Sequence, residues 1–450
     1  MVTKRTQELA AKDQAHLIHP LSVIGRKPGL IFERGDGIYV WDTDGKKYAN
    51  FASVGVCMHL GFGQEKIIEA AYEQMKQLTC FPIVCSTGNI PAIEYAAELA
   101  EVLPGDINHV YFTLCGTESN EVAIQIARLY WQVRGKEGKY KIICLTCGWH
   151  GTSVLTQSIS GFGQASVGRE HPGVLRIPNY DCSECCFGLK YPVCDILCAR
   201  FLERVIKEAN NEDTIAAFIG EPVQGHAGGI WPPDEYWPIV RRILTDHNIL
   251  MIADEVQTGF CRTGKFWGMD QWNVVPDLLA MGKGINNCYL PLGAVGVSDT
   301  LYRDLVGHEY RGVVTLDGNP VAVATGRAAL KIYIEEKMAD RAAKLGHHLH
   351  DRLVNEFLTL PCVDDVMGRG LYQSFRVALN KTTGSKFNIE ATRRARDFMA
   401  QECLKKGLLV PAANGSVMRQ SIVPPLIICE DELDKGLDIM LDAAKQFKPL

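Results

Sequence analysis

The sequence predicts an α/β protein built on a large, doubly wound, mostly parallel sheet, with a smaller α+β domain beside it. Three observations carry this. Short apolar runs recur at HVYFT (109–113), IICLT (142–146), TIAAFIG (214–220), ILMIAD (249–254) and LLAM (278–281). Runs without polar alternation suit strands covered by helices on both faces. Between them lie helical patterns, as in 116–130, where Val122, Ile126 and Leu129 fall on one face. Finally, 450 residues are too many for one simple core and fit a large domain plus a smaller one.

In chain order, RTQELAAKDQAHLI reads as a polar helix lying on the body, and GIYVWDTDGKKYANF (37–51) as a hairpin turning at Asp44-Gly45. The large domain is expected over 65–325. In HVYFTLCGTESNEVAIQIARLY (109–130), Thr117 or Ser119 can cap the helix, and Glu118 and Glu121 suit its positive end. Gly116-Thr117 would offer bare N–H groups and a hydroxyl to a phosphate. In IICLTCGWHGTS (142–153), Trp149 is either core or a platform for a flat ring. TIAAFIGEPVQGHAGG (214–229) ends its strand at Glu221. ILMIADEVQTG (249–259) ends in Asp254 and Glu255, and PDLLAMGKG (276–284) ends in Lys283 between Gly282 and Gly284. Polar residues at the carboxyl ends of parallel strands face the ligand crevice. The small domain should combine an N-terminal segment, 1–64, with 326–450, where LGHHLHDRLVNEFL (345–358) reads as a helix and GLYQSFRVAL (370–379) as a strand.

A net charge of −5 gives no reason to expect nucleic acid or an anionic membrane as partner. The first forty residues lack an apolar signal core and no 18-residue apolar run occurs, so a soluble, cytoplasmic protein is expected. Sixteen cysteines in such a chain argue for reduced thiols. Cys182, Cys185, Cys186, Cys194 and Cys198 crowd into an insertion at 179–200 with metal-ligand spacing, C-x2-C-C-x7-C-x3-C. The alternative is an insertion whose small thiols pack against the body, and no metal is expected in the site.

A carboxylate and an amine delivered to one crevice are what pyridoxal phosphate (PLP) requires. The lysine forms a Schiff base, and the carboxylate keeps the pyridine nitrogen protonated. The ordered set CGTESNE, GWHG, GEPVQG, DEVQTGFCRTGKF, MGKG, TLDGNP, GRG and RQSIVPPL resembles the class III (ω-amino acid:pyruvate-type) aminotransferases of fold-type I, from HPLS (19–22) to residue 437. The resemblance implies Lys283 as the Schiff-base lysine and Asp254 as partner of the pyridinium. It implies Gly116 and Thr117 as phosphate donors and Trp149 as the ring-stacking residue. Gln257 becomes a donor to the ring's phenolic oxygen, with His150, Val256 and Glu221 in the same pocket. Thr315 would reach the phosphate of a neighbouring subunit, which implies a homodimer or a dimer of dimers.

Arg419 matches the family arginine that grips a substrate carboxylate, and Glu221 could neutralise it when the donor has none. Trp149, Glu221 and Gly55 complete the substrate side. One departure stands out: Thr152 follows Trp149-His150-Gly151 where ornithine- and γ-aminobutyrate-specific relatives carry an arginine. The WHG, ESNE and RQSIVPPL runs also resemble dialkylglycine decarboxylase, a decarboxylating transaminase. Its glutamine near the N-terminus, however, is missing from Ser53-Val54-Gly55. The donor expected is therefore an ω-amine (a β-amino acid, taurine-like amine or diamine) with pyruvate as acceptor. A racemase or epimerase on the same fold would differ in demanding no keto acid. A non-catalytic, cysteine-rich binding protein is disfavoured by the intact Lys283, Asp254 and Thr117 set.

Overall fold

In a computed structural model, the residues described are 2–161, 171–208, 212–377, 389–411 and 419–447. Seven strands form the central sheet: β1 (Ile107–Thr113), β2 (Lys141–Leu145), β3 (Val174–Ile177), β4 (Ile215–Gly220), β5 (Leu250–Asp254), β6 (Leu278–Met281) and β7 (Gly293–Ser298), in the spatial order β1-β7-β6-β5-β4-β2-β3. Strand β7 runs antiparallel to both neighbours, and the remaining pairs are parallel. From β2 the chain steps outward to β3, then returns to the other side of β2 and proceeds through β4, β5 and β6. The direction of winding thus reverses between β2 and β4, and ligands bind at the carboxyl ends of strands at such a switch point.

The apolar runs split between two cores because side chains alternate along a strand. Ile142, Cys144, Ala217, Ile219 and Ile252 point to one face, where Val122 and Ile126 of the helix Gly116–Val133 cover them. Ile143, Leu145, Phe218, Met251 and Ala253 point to the other, against Trp237, Val240 and Leu244 of the helix Tyr236–Asp246. Both faces being covered explains why these strands are apolar throughout.

Outside this sheet, Phe32–Asp36, Tyr39–Asp42 and Lys47–Asn50 form an antiparallel meander, joined in parallel by Leu408–Leu409 from the far end of the chain. The hairpin turns where expected: Gly45 has φ 82°, and Asp42 Oδ1 accepts from the N–H groups of Asp44 and Lys46 at 3.0 and 2.8 Å. A second antiparallel sheet contains Val363–Arg369, Tyr372–Val377 and Arg419–Ile422, beside the helices Met338–Arg352 and Glu430–Gln446. The expected strand over 370–379 covers Tyr372–Val377, and its last two residues lie outside the described ones. The N-terminal helix Lys4–His16 buries no residue. It is tied to the hairpin turn by Thr3 N–H and the Thr6 hydroxyl on Asp44 Oδ1 at 2.8 and 2.6 Å, not packed on the body, because its sequence lacks an apolar stripe. Among the described residues no helix is long and apolar enough to cross a membrane.

Candidate active site

The carboxyl ends of the strands around the switch point open into a cleft of about 470 Å³, a size suited to a small molecule. Gly116 and Thr117 enter it from the helix start after β1, Trp149 and His150 from the turn after β2, and Glu221 from the end of β4. Asp254, Val256 and Gln257 follow β5, and Lys283 follows β6. Nine of the sequence-predicted site residues therefore share one cleft. Gly55, Thr315 and Arg419 do not line it.

Asp254 is 4% exposed, and its orientation is fixed by three donors. Oδ2 accepts from His150 Nδ1 at 2.8 Å and from the Asn120 amide at 2.7 Å, while Oδ1 takes the Val256 N–H at 3.1 Å. Burial works against a charge on His150. The hydrogen bond and negative charge of Asp254, with Glu221 adding to them, nevertheless lift its pKa above the ordinary imidazole value. Glu221 is equally buried, its carboxyl pushed upward by burial and by Asp254. Its oxygens accept from Trp149 N–H at 2.9 Å and Gly225 N–H at 3.1 Å. The result is a floor of two carboxyl groups held by backbone N–H groups, His150 and Asn120.

The helix Gly116–Val133 starts at Gly116, and neither Thr117 nor Ser119 caps it. Cys115 at the N-cap contributes no side-chain acceptor, and Ser119 is turned onto Met281 O (2.7 Å) and Thr113 Oγ1 (2.8 Å). Its first amides and the positive end of the helix are left to an anion in the cleft. Glycine is required here: a Cβ on Gly116 would lie 2.6 Å from Val256 Cγ1, and one on Gly282 would lie 3.1 Å from the Gly116 nitrogen. Trp149 stacks on His226 with ring centroids 4.3 Å apart and an interplanar angle of 21°, which holds the indole flat at the cleft. Gln257 Oε1 accepts from the buried Tyr372 hydroxyl at 2.8 Å. Lys283 is half-buried, with φ 44° in the left-handed region. An anion cradle, an aromatic platform, a fixed carboxylate and an amine in one cleft fit the phosphate, ring, ring nitrogen and aldehyde of PLP.

Several expected site residues lie apart from this cleft. Arg419 is fully buried, paired with Asp365 and bonded to Ser183 Oγ at 2.7 Å. It is thus kept from the cleft, and Glu221, satisfied by backbone donors, does not neutralise it. Gly55 has φ 75° in a left-handed turn with Ser53, Val54 and Val56, all at positive φ, and it faces outward. Thr315 is exposed on its own chain. The carboxylate pair divides as strand alternation demands. Glu255 turns away from the cleft and accepts from Gly268 and Met269 N–H at 2.9 and 2.8 Å and from the Thr258 hydroxyl. Sequence reasoning missed Asn120, His226 and Cys288. Asn120, inside the TESNE run, was the one with a signal, being a polar residue on an otherwise apolar helix face. None of the sixteen cysteines forms a disulfide. Cys182, Cys185, Cys194 and Cys198 line one small void, while Cys186 lies apart.

Two stability predictions follow from these contacts. Burial pushes the Glu255 carboxyl up to about 7 from 4.5, so between those values the folded state binds the extra proton. This group's contribution to stability is therefore lost as pH rises from about 4.5 to 7. Glu255→Gln should flatten the decline of melting temperature over that window, and an unchanged slope would refute the assignment. Arg419→Ala leaves Asp365 without its cation at a cost of about 1–3 kcal/mol, moderated because Asp365 is partly exposed. The variant should melt several degrees lower. Unchanged melting with loss of keto-acid binding alone would return Arg419 to the substrate side.

Residues 23–444 match the family described as aminotransferase class-III. The chain is 32% identical over 446 residues to the putrescine–pyruvate aminotransferase of Pseudomonas aeruginosa, covering 96% of this chain and 94% of that one. It is also 32% identical to the mitochondrial gamma-aminobutyrate transaminase 1 of Oryza sativa subsp. japonica, over 92% of this chain and 81% of that protein. A solved (S)-enantioselective omega-transaminase from Thermomicrobium roseum superposes with a TM-score of 0.91 at 35% identity, covering 97% and 98% of the two chains. The geometry of the cleft and these likenesses agree: the chain belongs to the class III aminotransferase family and is a PLP-dependent transferase of amino groups.

Proposed function

We propose that this aminotransferase takes its amino group from an ω-amine, a diamine ahead of a β-amino acid or a taurine-like amine, and delivers it to pyruvate. The observation that carries the donor is the charge of the cleft wall. Among the described residues lining it, Glu221 and Asp254 are the carboxyl groups, burial raising the Glu221 pKa, no arginine is present, and Arg419 is held by Asp365. A donor's distal carboxylate would find no guanidinium there, whereas a second ammonium finds carboxyl oxygens to donate to. The acceptor rests on the Pseudomonas relative named for putrescine and pyruvate.

PLP supplies the electron sink that makes the donor carbon acidic. In this reading Gly116 and Thr117 hold its phosphate, Trp149 and Val256 cover its ring, and Gln257 meets its phenolic oxygen. Asp254, oriented by His150 and Asn120, keeps the proton on the ring nitrogen. Lys283 holds the aldehyde and, once freed by the donor, moves the proton from the donor carbon through Nζ.

Thr315 belongs to the site of a second copy in a homodimer or dimer of dimers. Its loop carries exposed Val313, Val314 and Leu316 beside exposed Phe81, to which Asn89 ties Gly318 through bonds of 3.1 and 2.9 Å. Such an apolar patch suits a subunit interface. Residues 65–325 make up the cofactor-binding domain, with 1–64 and 326–450 forming the smaller one, a division supported by the strand that Leu408–Leu409 adds to the N-terminal meander. Sixteen cysteines outside any disulfide suit a reducing, cytoplasmic setting.

The test is a donor screen of putrescine, β-alanine and taurine against pyruvate and 2-oxoglutarate. The highest kcat/KM should fall on the diamine with pyruvate, with strict dependence on the keto acid and no release of carbon dioxide. Preference for a carboxylated donor, or for 2-oxoglutarate, would overturn the proposal.

A further inference from the structure

Two thiols meet beside Lys283, and no step above uses them. Cys288 lines the cleft, and its Sγ lies 3.6 Å from the Lys283 carbonyl oxygen on the same turn. Cys57 comes from the far side, out of the left-handed turn at Ser53–Val56. The segments are fastened together just beyond both thiols. Leu60 N–H donates to Asn287 Oδ1 at 2.7 Å, and the Asn287 amide donates to Gly61 O at 2.8 Å, with Asn287 fully buried. His59 packs so closely on this turn that a Cβ on Gly284 would lie 2.8 Å from its ring.

The thiols of Cys57 and Cys288 share a hydrogen bond that favours the Cys57 thiolate, and the charges of Lys283 and Arg262 favour it further against the effect of burial. Thiolate character together with access from a cleft is what makes a cysteine oxidisable. Other thiols differ: Cys144, Cys261, Cys362 and Cys403 are buried, and burial pushes Cys182 up to about 11 and Cys198 up to about 12.

We propose that Cys57 and Cys288 are an oxidisable dithiol that closes to a disulfide at the cleft and switches the enzyme off. The oxidant is a low-molecular-weight disulfide such as oxidised glutathione. The Cys57 thiolate attacks one of its sulfurs and expels the first glutathione thiolate. Cys288 gives its proton to solvent and attacks the Cys57 sulfur of the mixed disulfide, expelling the second. The protein loses two electrons and two protons, and the oxidant leaves as two thiols. The new S–S bond ties the turn at Ser53–Val56 to the segment carrying Lys283. A displacement of about 1 Å at a reacting group costs on the order of a hundredfold in rate. The bond rests on the contact of the two thiols and the fastening of their segments, while its effect on rate rests on the role assigned to Lys283.

Reduced holoenzyme is incubated with oxidised glutathione, free thiols are alkylated, and unreduced peptides are analysed by mass spectrometry while transamination and cofactor absorbance are followed. A peptide pair joining Cys57 to Cys288, lighter by two hydrogens, should accumulate as the rate falls about tenfold or more. Dithiothreitol should reverse both. Cys57→Ser should keep its own starting rate through the treatment, while Cys288→Ser should stop at the mixed disulfide, its Cys57 peptide heavier by one glutathione. Alkylation of both cysteines in inactivated enzyme, or a Cys57→Ser variant that loses activity as the parent does, would overturn the proposal. A linked pair at undiminished rate would overturn the switch while leaving the aminotransferase assignment in place.

Discussion

Lys283→Ala is expected to abolish transamination and the visible absorbance of lysine-bound cofactor while leaving the fold intact. Lys283 is the only lysine among the described residues lining the cleft, so no neighbour can take over either task. Proton transfer by a positioned side chain contributes about 10²–10⁴ in rate, and the variant also loses the covalent anchor. Turnover should fall by four orders of magnitude or more. The backbone gives an independent check on folding. At φ 44° a non-glycine residue costs about 1–2 kcal/mol, a strain alanine retains and glycine relieves. Cofactor-free Lys283→Ala should therefore melt like the parent, and Lys283→Gly should melt higher, with both inactive. Activity above a hundredth of the parent's would remove Lys283 from the reaction. A lower melting temperature for the glycine variant would show that the turn is not strained.

The features legible in the sequence were those encoded locally. Gly282 and Gly284 around a strand-end lysine, and Gly116 opening a helix, are visible within a few residues, and the fold adds the close approach of Gly116 to Val256. What the sequence hid depends on partners far along the chain. Asp254 and Glu255 are adjacent, and only strand alternation in the folded sheet sends one to the cleft and the other to Gly268 and Met269. Arg419 sits beside a proline turn like many surface arginines, and nothing near it in sequence shows that Asp365 and Ser183 converge on it. Trp149 could be core or platform until His226, from the turn after another strand, stacked on it. The N-terminal helix shows the converse: its helical pattern was readable, but a helix without an apolar face has no reason to choose a docking site, and it holds on through Asp44.

Asp254→Asn is expected to bind the cofactor and to lose several orders of magnitude in rate. The substitution is close to isosteric, and Asp254 takes no part in the helix-end cradle where the phosphate would be held. The carboxylate accepts from His150 Nδ1, the Asn120 amide and Val256 N–H, so it faces three donors and presents none of its own. An amide must either point its NH₂ at a donor or turn it toward the ring nitrogen, and in neither case does it carry the charge that keeps a proton there. His150 supplies a second readout. Its pKa is held up against burial chiefly by the hydrogen bond and charge of Asp254, so the variant's imidazole should titrate lower, visible by NMR of the ring protons. A rate loss below about tenfold, equivalent to about 1.4 kcal/mol in barrier, would mean that another residue meets the ring nitrogen. A large loss with His150 titrating as before would instead place the damage in the orientation of the cleft, because the charge of Asp254 would then not be what His150 senses.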